Sequence, residues 1–257
     1  MITTNGNDPS MASPLTGKNI IVCGYHWVGA RAVELLRSMG ANVYVYTHPS
    51  GEGVPCVANY CRKAAIPCSF ERISADALPF TPDAIASIYY RYLIKPDLIA
   101  RVNGKIFNLH PSLLPKYRGC SSLAWAMMHN QAVVGYTYHY IDAGCDTGNI
   151  ILQKPMEVEP FDTLQTLYYR VMFQAVTDLI VATKLVLNGF PGSAQSGEPS
   201  YFKRGAPYNG VIDPAWDIDQ VERFIRVMTF PPYPYATAQG NPVRTFDDYL
   251  AQREIAQ

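Results

Sequence analysis

The run Asn19-Ile20-Ile21-Val22-Cys23-Gly24, followed by WVGARAVELLRSM from Trp27 to Met39 and by NVYVY from Asn42 to Tyr46, decides the fold. The two short β-branched apolar runs read as strands. Between them, apolar residues recur at helical spacing until Gly40 stops the helix. Strand, glycine turn, helix and strand make a βαβ unit, and such units build parallel sheets with right-handed crossovers. Gly24 and Gly29 invite a nucleotide reading, but the middle glycine of the dinucleotide fingerprint is missing and no P-loop lysine follows. A tight strand-to-helix turn accounts for them.

Working outward, strands are expected at Ala84 to Tyr90 and Lys105 to His110, with a short helix from Pro96 to Val102 between them. Extended runs follow at Val133 to Ile141 and Asn149 to Val158. Tyr136, Tyr138 and Tyr140 alternate with Thr137 and His139, so the two sets take opposite faces, and His139 and Tyr140 read as sheet packing. A long helix is expected from Phe161 to Leu187, capped by Asp162 or Thr163 and stopped by Gly189. A Gly/Pro/Ser-rich linker, Gly189 to Pro199, leads to a helix from Asp217 to Met228, a rigid turn at Pro231 to Pro234 and extended segments. The expected class is α/β, a Rossmann-like, parallel-dominated sheet flanked by helices with a small C-terminal helix and hairpin extension. The boundaries that follow are a disordered leader at 1–17, a core at 18–190, and a linker with extension at 191–257.

The 257 residues carry 21 basic and 21 acidic side chains, with 48% hydrophobic and 16% charged residues, which describes a globular chain with a sizeable core. Balanced charge gives no broad positive field, so a nucleic-acid partner is disfavoured. The most apolar stretch, Leu179 to Leu187, is too short to span a membrane. The first seventeen residues lack the basic start and apolar run of a signal peptide. Six scattered cysteines with no paired C-x-x-C spacing read as reduced thiols in a cytoplasm. Cys56, Cys61 and Cys68 near His48 fit no common zinc spacing, so no metal is expected.

Candidate chemistry lies in FNLHPSLLPKYRG, Phe107 to Gly119. Asn108 and His110 share one face at the end of a strand, which would bring an amide donor and an imidazole to the carboxyl edge of the sheet, where open α/β folds bind ligands. By residue type, His110 reads either as a satisfied structural histidine or as a catalytic one. The loop from Asp142 to Ile150 (DAGCDTGNI) carries two carboxylates and reads equally as a hairpin turn.

Together, FNLHPSLLPKYRG and the later D-x-G-x-I of Asp146 to Ile150 resemble the formyltransferase family that uses N10-formyltetrahydrofolate, over about Asn19 to Leu187. The resemblance implies a catalytic trio of Asn108, His110 and Asp146. It also implies a pterin site formed by main chain and apolar walls at Arg91, Tyr92, Leu93, Ile94, Ile141 and Asp142. Chemically the trio suits formyl transfer: amide and imidazole donors meet a developing oxyanion, and a carboxylate beside the histidine supports proton transfer. The tail, with YFKRGAPYNG from Tyr201 and RFIRVMTFPPYPYA from Arg223, resembles the branch that formylates nucleotide-linked amino sugars, and acids outnumber bases from Pro199 onward. That branch implies an acceptor of the GDP-perosamine or dTDP-3/4-amino-dideoxysugar type, a role in O-antigen or other surface polysaccharide, and a homodimer. Formylation of methionyl-tRNA or glycinamide ribonucleotide, or a non-catalytic folate or nucleotide-sugar binding module, stand as alternatives.

Overall fold

Ile20, Ile21, Val22 and Cys23 are all fully buried, as a strand apolar at every position must be when layers cover both of its faces. The computed structural model describes residues 13–51, 54 and 56–255. Its elements in chain order are β1 (Asn19–Gly24), α1 (His26–Ser38), β2 (Asn42–Tyr46), α2 (Val57–Lys63), β3 (Cys68–Ser69), β4 (Ala84–Ile88), α3 (Pro96–Arg101), β5 (Ile106–His110), β6 (Arg118–Gly119), α4 (Ser122–Met128), β7 (Val133–Tyr140), β8 (Ile150–Glu157), α5 (Leu164–Thr177), α6 (Leu179–Leu187), β9 (Tyr201–Phe202), α7 (Ile218–Val227), β10 (Ala236–Ala238), β11 (Asn241–Val243) and α8 (Phe246–Ile255). Seven strands hydrogen-bond in the order β3-β2-β1-β4-β5-β7-β8. β1 runs parallel to β2 and β4, and β4 parallel to β5. The α/β class expected from sequence is the class observed.

The chain packs as two units. The first comprises residues up to Leu109, Tyr138–Ala143 and Val176–Gly192. Its core gathers Ile21, Cys23, Tyr46, Ile85, Leu98 and Ile106. The strand order reverses between β1 and β4, and the loops leaving their carboxyl ends therefore border the crevice in which such sheets hold ligands. Gly29, in the first turn of α1, lies against the end of β1: a Cβ there would stand 3.0 Å from the Gly24 carbonyl carbon. The close approach bears out the tight-turn reading of these glycines. Of the expected leader, residues 1–12 lie outside the described residues. Ser13 to Gly17 depart from expectation by forming a packed turn, with Leu15 1% exposed and its N–H donating to the Met39 carbonyl at 2.8 Å.

The second unit comprises His110–Thr137, Gly144–Ala175 and residues from Ser193 onward. It unites residues from Ser193 onward, close to the expected start of the linker and extension, with residues of the motif segment. Phe224, Val221 and Ile225 of α7 pack with Met128 of α4, Ala236 of β10 and Val243 of β11. A capping box opens α7: the Gln220 N–H donates to Asp217 Oδ1 at 2.8 Å, and the Asp217 N–H to Gln220 Oε1 at 3.1 Å. Thr163 caps α5, its Oγ1 accepting the Thr166 N–H at 3.2 Å, while buried Asp162 pairs with Arg170. The single helix expected from Phe161 to Leu187 is interrupted between α5 and α6 at Asp178, where the backbone takes φ -86° and ψ -3°. Where only extended segments were expected after Pro234, the hairpin β10–β11 is followed by α8.

Candidate active site

Asn108 belongs to the first unit and lies half-buried on β5, with its flanking residues Phe107 and Leu109 in the core. Its Nδ2 is 3.2 Å from His139 Nε2 on β7, and His139 Nδ1 is 2.8 Å from the Tyr140 carbonyl oxygen. A carbonyl only accepts, so Nδ1 of His139 carries the hydrogen and Nε2 accepts one N–H of the Asn108 amide. That bond fixes which end of the amide faces β7. His139, expected as packing, is thus a partner of Asn108.

His110 ends β5 and is 4% exposed, in the second unit. Its Nε2 is 2.8 Å from the Tyr117 carbonyl oxygen and 3.2 Å from Ser122 Oγ, while Nδ1 is 3.5 Å from Asp146 Oδ2. By the same reasoning Nε2 carries a hydrogen, and a second proton on the ring would sit at Nδ1, facing the carboxylate. Asp146 adopts the left-handed backbone, at φ 54°, and its Oδ2 accepts the Gly119 N–H at 2.8 Å. One carboxylate oxygen is therefore held between a main-chain donor and the imidazole. Cys145 Sγ is 3.6 Å from that oxygen, and burial, then the Asp146 charge, pushes the Cys145 thiol up to about 11.

The residues expected at a pterin site all lie in the first unit, on two loops. Arg91 to Ile94 follow β4 at the point of strand-order reversal, and Ile141 and Asp142 follow β7. Ile94 and Ile141 pack against the same buried cluster, which brings the two loops to one place in the unit. Leu93 is 75% exposed and its carbonyl accepts from Arg72 Nη2 at 2.7 Å. The Tyr92 ring has the Arg72 and Arg91 guanidinium carbons each 5.6 Å from its centre, and Arg91 and Asp142 are exposed. An exposed leucine over irregular backbone at a switch point fits a flat heterocycle with an amide-like edge.

Among the described residues, no group of three or more His, Cys, Asp or Glu side chains could hold a metal ion. None of their helices is long and apolar enough to cross a membrane. Tyr117 and Gly119 lie within the motif itself and Ser122 just beyond it, whereas the segment from Ser193 to Phe202 reaches Tyr117 and Asp146 without a local signal in the sequence, because it arrives through the tertiary fold.

Residues 68–183, which contain Asn108, His110 and Asp146, match the family model described as formyl transferase. The chain is 44% identical over 157 residues to the GDP-perosamine N-formyltransferase of Brucella melitensis, a match spanning 61% of this chain and 61% of that protein. The match thus covers less than two thirds of that relative. In fold the chain is similar to an N-formyltransferase from Helicobacter canadensis, crystallised with folinic acid and dTDP-3-aminofucose, at a TM-score of 0.74 and 20% identity over 88% of this chain and 86% of that one. It is equally similar to a 4-N formyltransferase from Francisella tularensis, at a TM-score of 0.74 and 21% identity over 88% of this chain and 95% of that one.

Proposed function

We propose that the chain is an N-formyltransferase that moves the formyl group of N10-formyltetrahydrofolate to the amine of a nucleotide-linked amino-deoxysugar. GDP-perosamine or a dTDP-linked 3- or 4-amino-dideoxysugar is the acceptor. The observation that carries this reading is the pairing of buried His110 with part-buried Asp146, in a chain whose fold is that of formyltransferases, with the Asn108 amide two residues earlier on the same strand. The likeness to a GDP-perosamine N-formyltransferase supports the choice of acceptor.

The co-substrate supplies an activated formyl group; Arg91 to Ile94, Ile141 and Asp142 would hold its pterin. Negative charge develops on the formyl oxygen as the amine attacks, and donors already oriented before reaction stabilise it most. Asn108, turned by His139, keeps a second amide N–H for that purpose. His110, protonated at Nδ1 against Asp146, supplies positive charge, and the pair moves the protons that the amine loses and the leaving nitrogen gains. The nucleotide diphosphate provides remote binding energy that orients the amine. In the same reading the enzyme works in the cytoplasm, where its six free cysteines stay reduced, acts as a homodimer and serves surface polysaccharide such as O-antigen.

The test is incubation with N10-formyltetrahydrofolate and a panel of nucleotide-linked amino sugars, followed by mass spectrometry. Gain of one formyl group on a GDP- or dTDP-linked amino sugar is expected. Formyl transfer to none of them, or at equal rates to the free amino sugar, would overturn the assignment.

A further inference from the structure

Gln195 lies in the segment that reads in sequence as a linker, yet its side chain is engaged at all four of its hydrogen-bonding positions. Its Oε1 accepts from Arg118 Nη2 at 2.6 Å and from Arg118 Nε at 3.2 Å. Its Nε2 donates to the carbonyl oxygens of Asp146, at 2.8 Å, and Gly148, at 2.9 Å. A primary amide offers two lone pairs and two hydrogens, so this set saturates it. The orientation is unambiguous, because exchanging oxygen and nitrogen would set an oxygen against two carbonyls and an NH2 against a guanidinium.

The backbone around Gln195 is anchored on both sides within the same unit. Ser193 and Ile150 exchange main-chain hydrogen bonds at 2.7 and 2.8 Å. The Ser200 carbonyl accepts the Arg118 N–H, and Ser200 Oγ accepts the Tyr117 N–H, both at 2.8 Å. β9 then pairs with β6. The clamped loop holds Asp146 in the left-handed region, at φ 54°. The Asp146 carbonyl is the group Gln195 holds, and the peptide orientation there sets the direction in which the carboxylate leaves the chain.

We propose that Gln195 is a positioning residue for Asp146. By holding the Asp146 and Gly148 carbonyls it aims the carboxylate at His110 Nδ1 and the Gly119 N–H, and the guanidinium of Arg118 fixes Gln195 in turn. The effect on rate rests on the formyltransferase reading; the effect on Asp146 does not.

The test uses the whole chain with Gln195→Glu, which keeps size and the acceptor toward Arg118 but turns a lone pair toward the two carbonyls. Gln195→Met, which keeps length without any hydrogen bond, is the second variant should the first fail to fold. The first readout is the Gly119 amide signal in a 1H–15N spectrum, with Asp146→Asn as the reference for loss of the carboxylate. The Gly119 signal should move toward its position in the reference while the Ile20 amide of β1 stays in place. The second readout is turnover, expected to fall about tenfold or more with KM for both substrates unchanged, since small misplacements of a reacting group cost that much. An unmoved Gly119 signal, or a moved signal with unchanged turnover, overturns the proposal. If neither wild type nor variant transfers formyl to any acceptor, the function fails as proposed, and a moved Gly119 signal still supports the placement of Asp146 by Gln195.

Discussion

Asp146 Oδ2 stands 3.5 Å from His110 Nδ1 while the other ring nitrogen is committed, at 2.8 Å, to the Tyr117 carbonyl. The imidazole thus has one position left for a second proton, and a carboxylate faces it. Asp146→Asn preserves shape and tolerates the left-handed backbone, but removes the charge that favours this proton. Turnover should fall about 10²-fold or more with an unchanged thermal melt. Near-wild-type turnover in the folded variant would take the pair out of the mechanism.

Asn108→Ala removes a donor aimed at charge that exists only in the transition state, so the loss should appear in kcat, about 10²-fold, with KM little changed. His139→Phe keeps an aromatic ring but cannot accept the Asn108 N–H, and it should lower kcat by a smaller factor. A change confined to KM in either variant would make Asn108 a substrate contact.

Cys145 offers a probe of the Asp146 charge that is independent of turnover. Burial and the carboxylate hold the thiol up at about 11, above its ordinary value of 9.0, so at pH 8 it is protonated and slow to alkylate. Removing the negative charge in Asp146→Asn lowers the thiol pKa, raises the thiolate fraction and should speed iodoacetamide labelling of Cys145, read by peptide mass mapping. An unchanged rate would show that the charge is not felt there.

Gly29 tests the turn at the start of α1. An added Cβ would meet the Gly24 carbonyl carbon at 3.0 Å, its Cα at 3.1 Å and Val57 Cγ2 at 3.1 Å, two of them backbone atoms with little room to retreat. Gly29→Ala should destabilise the chain by about 1–3 kcal/mol, seen as a lower denaturant midpoint. An unchanged midpoint would mean that helix and strand move apart at no cost.

What was legible in the sequence follows the range of the physics involved. β1 was visible because Ile20 to Cys23, covered on both faces, are all apolar, and β2 because Val43 to Tyr46 form a short apolar, β-branched and aromatic run shortly after Gly40. Asn108, His110 and Asp146 were visible as chemical types within a motif. Their pairings were not, because His139 reaches Asn108 from 31 residues away, and the Tyr117 carbonyl and Gly119 N–H, though within the motif, meet His110 and Asp146 only in the fold. α4 is a single short helix after Ser121, itself left-handed at φ 56°, and it offers too few turns for a periodic signal. The composition of Gly189 to Pro199 correctly marked irregular backbone, but it says nothing about tertiary hydrogen bonds. Irregular segments satisfy their polar groups somewhere, and here much of that satisfaction falls at Asp146 and Ile150.

The return of the segment from Ser193 to Phe202 also sets an order of events in synthesis. Tyr117 and Ser200 are 83 residues apart, and Asp146 and Gln195 are 49 apart, so these bonds close large loops and come late, after the local helices and hairpins. A nascent chain that has already made Asn108, His110 and Asp146 still has β6 without its neighbour and Asp146 without its clamp. The clamp on Asp146 and the pairing of β6 therefore need the chain through Phe202, and a break in the backbone between Gly189 and Ser193 would turn the docking of Gln195 from a loop closure into an association governed by concentration.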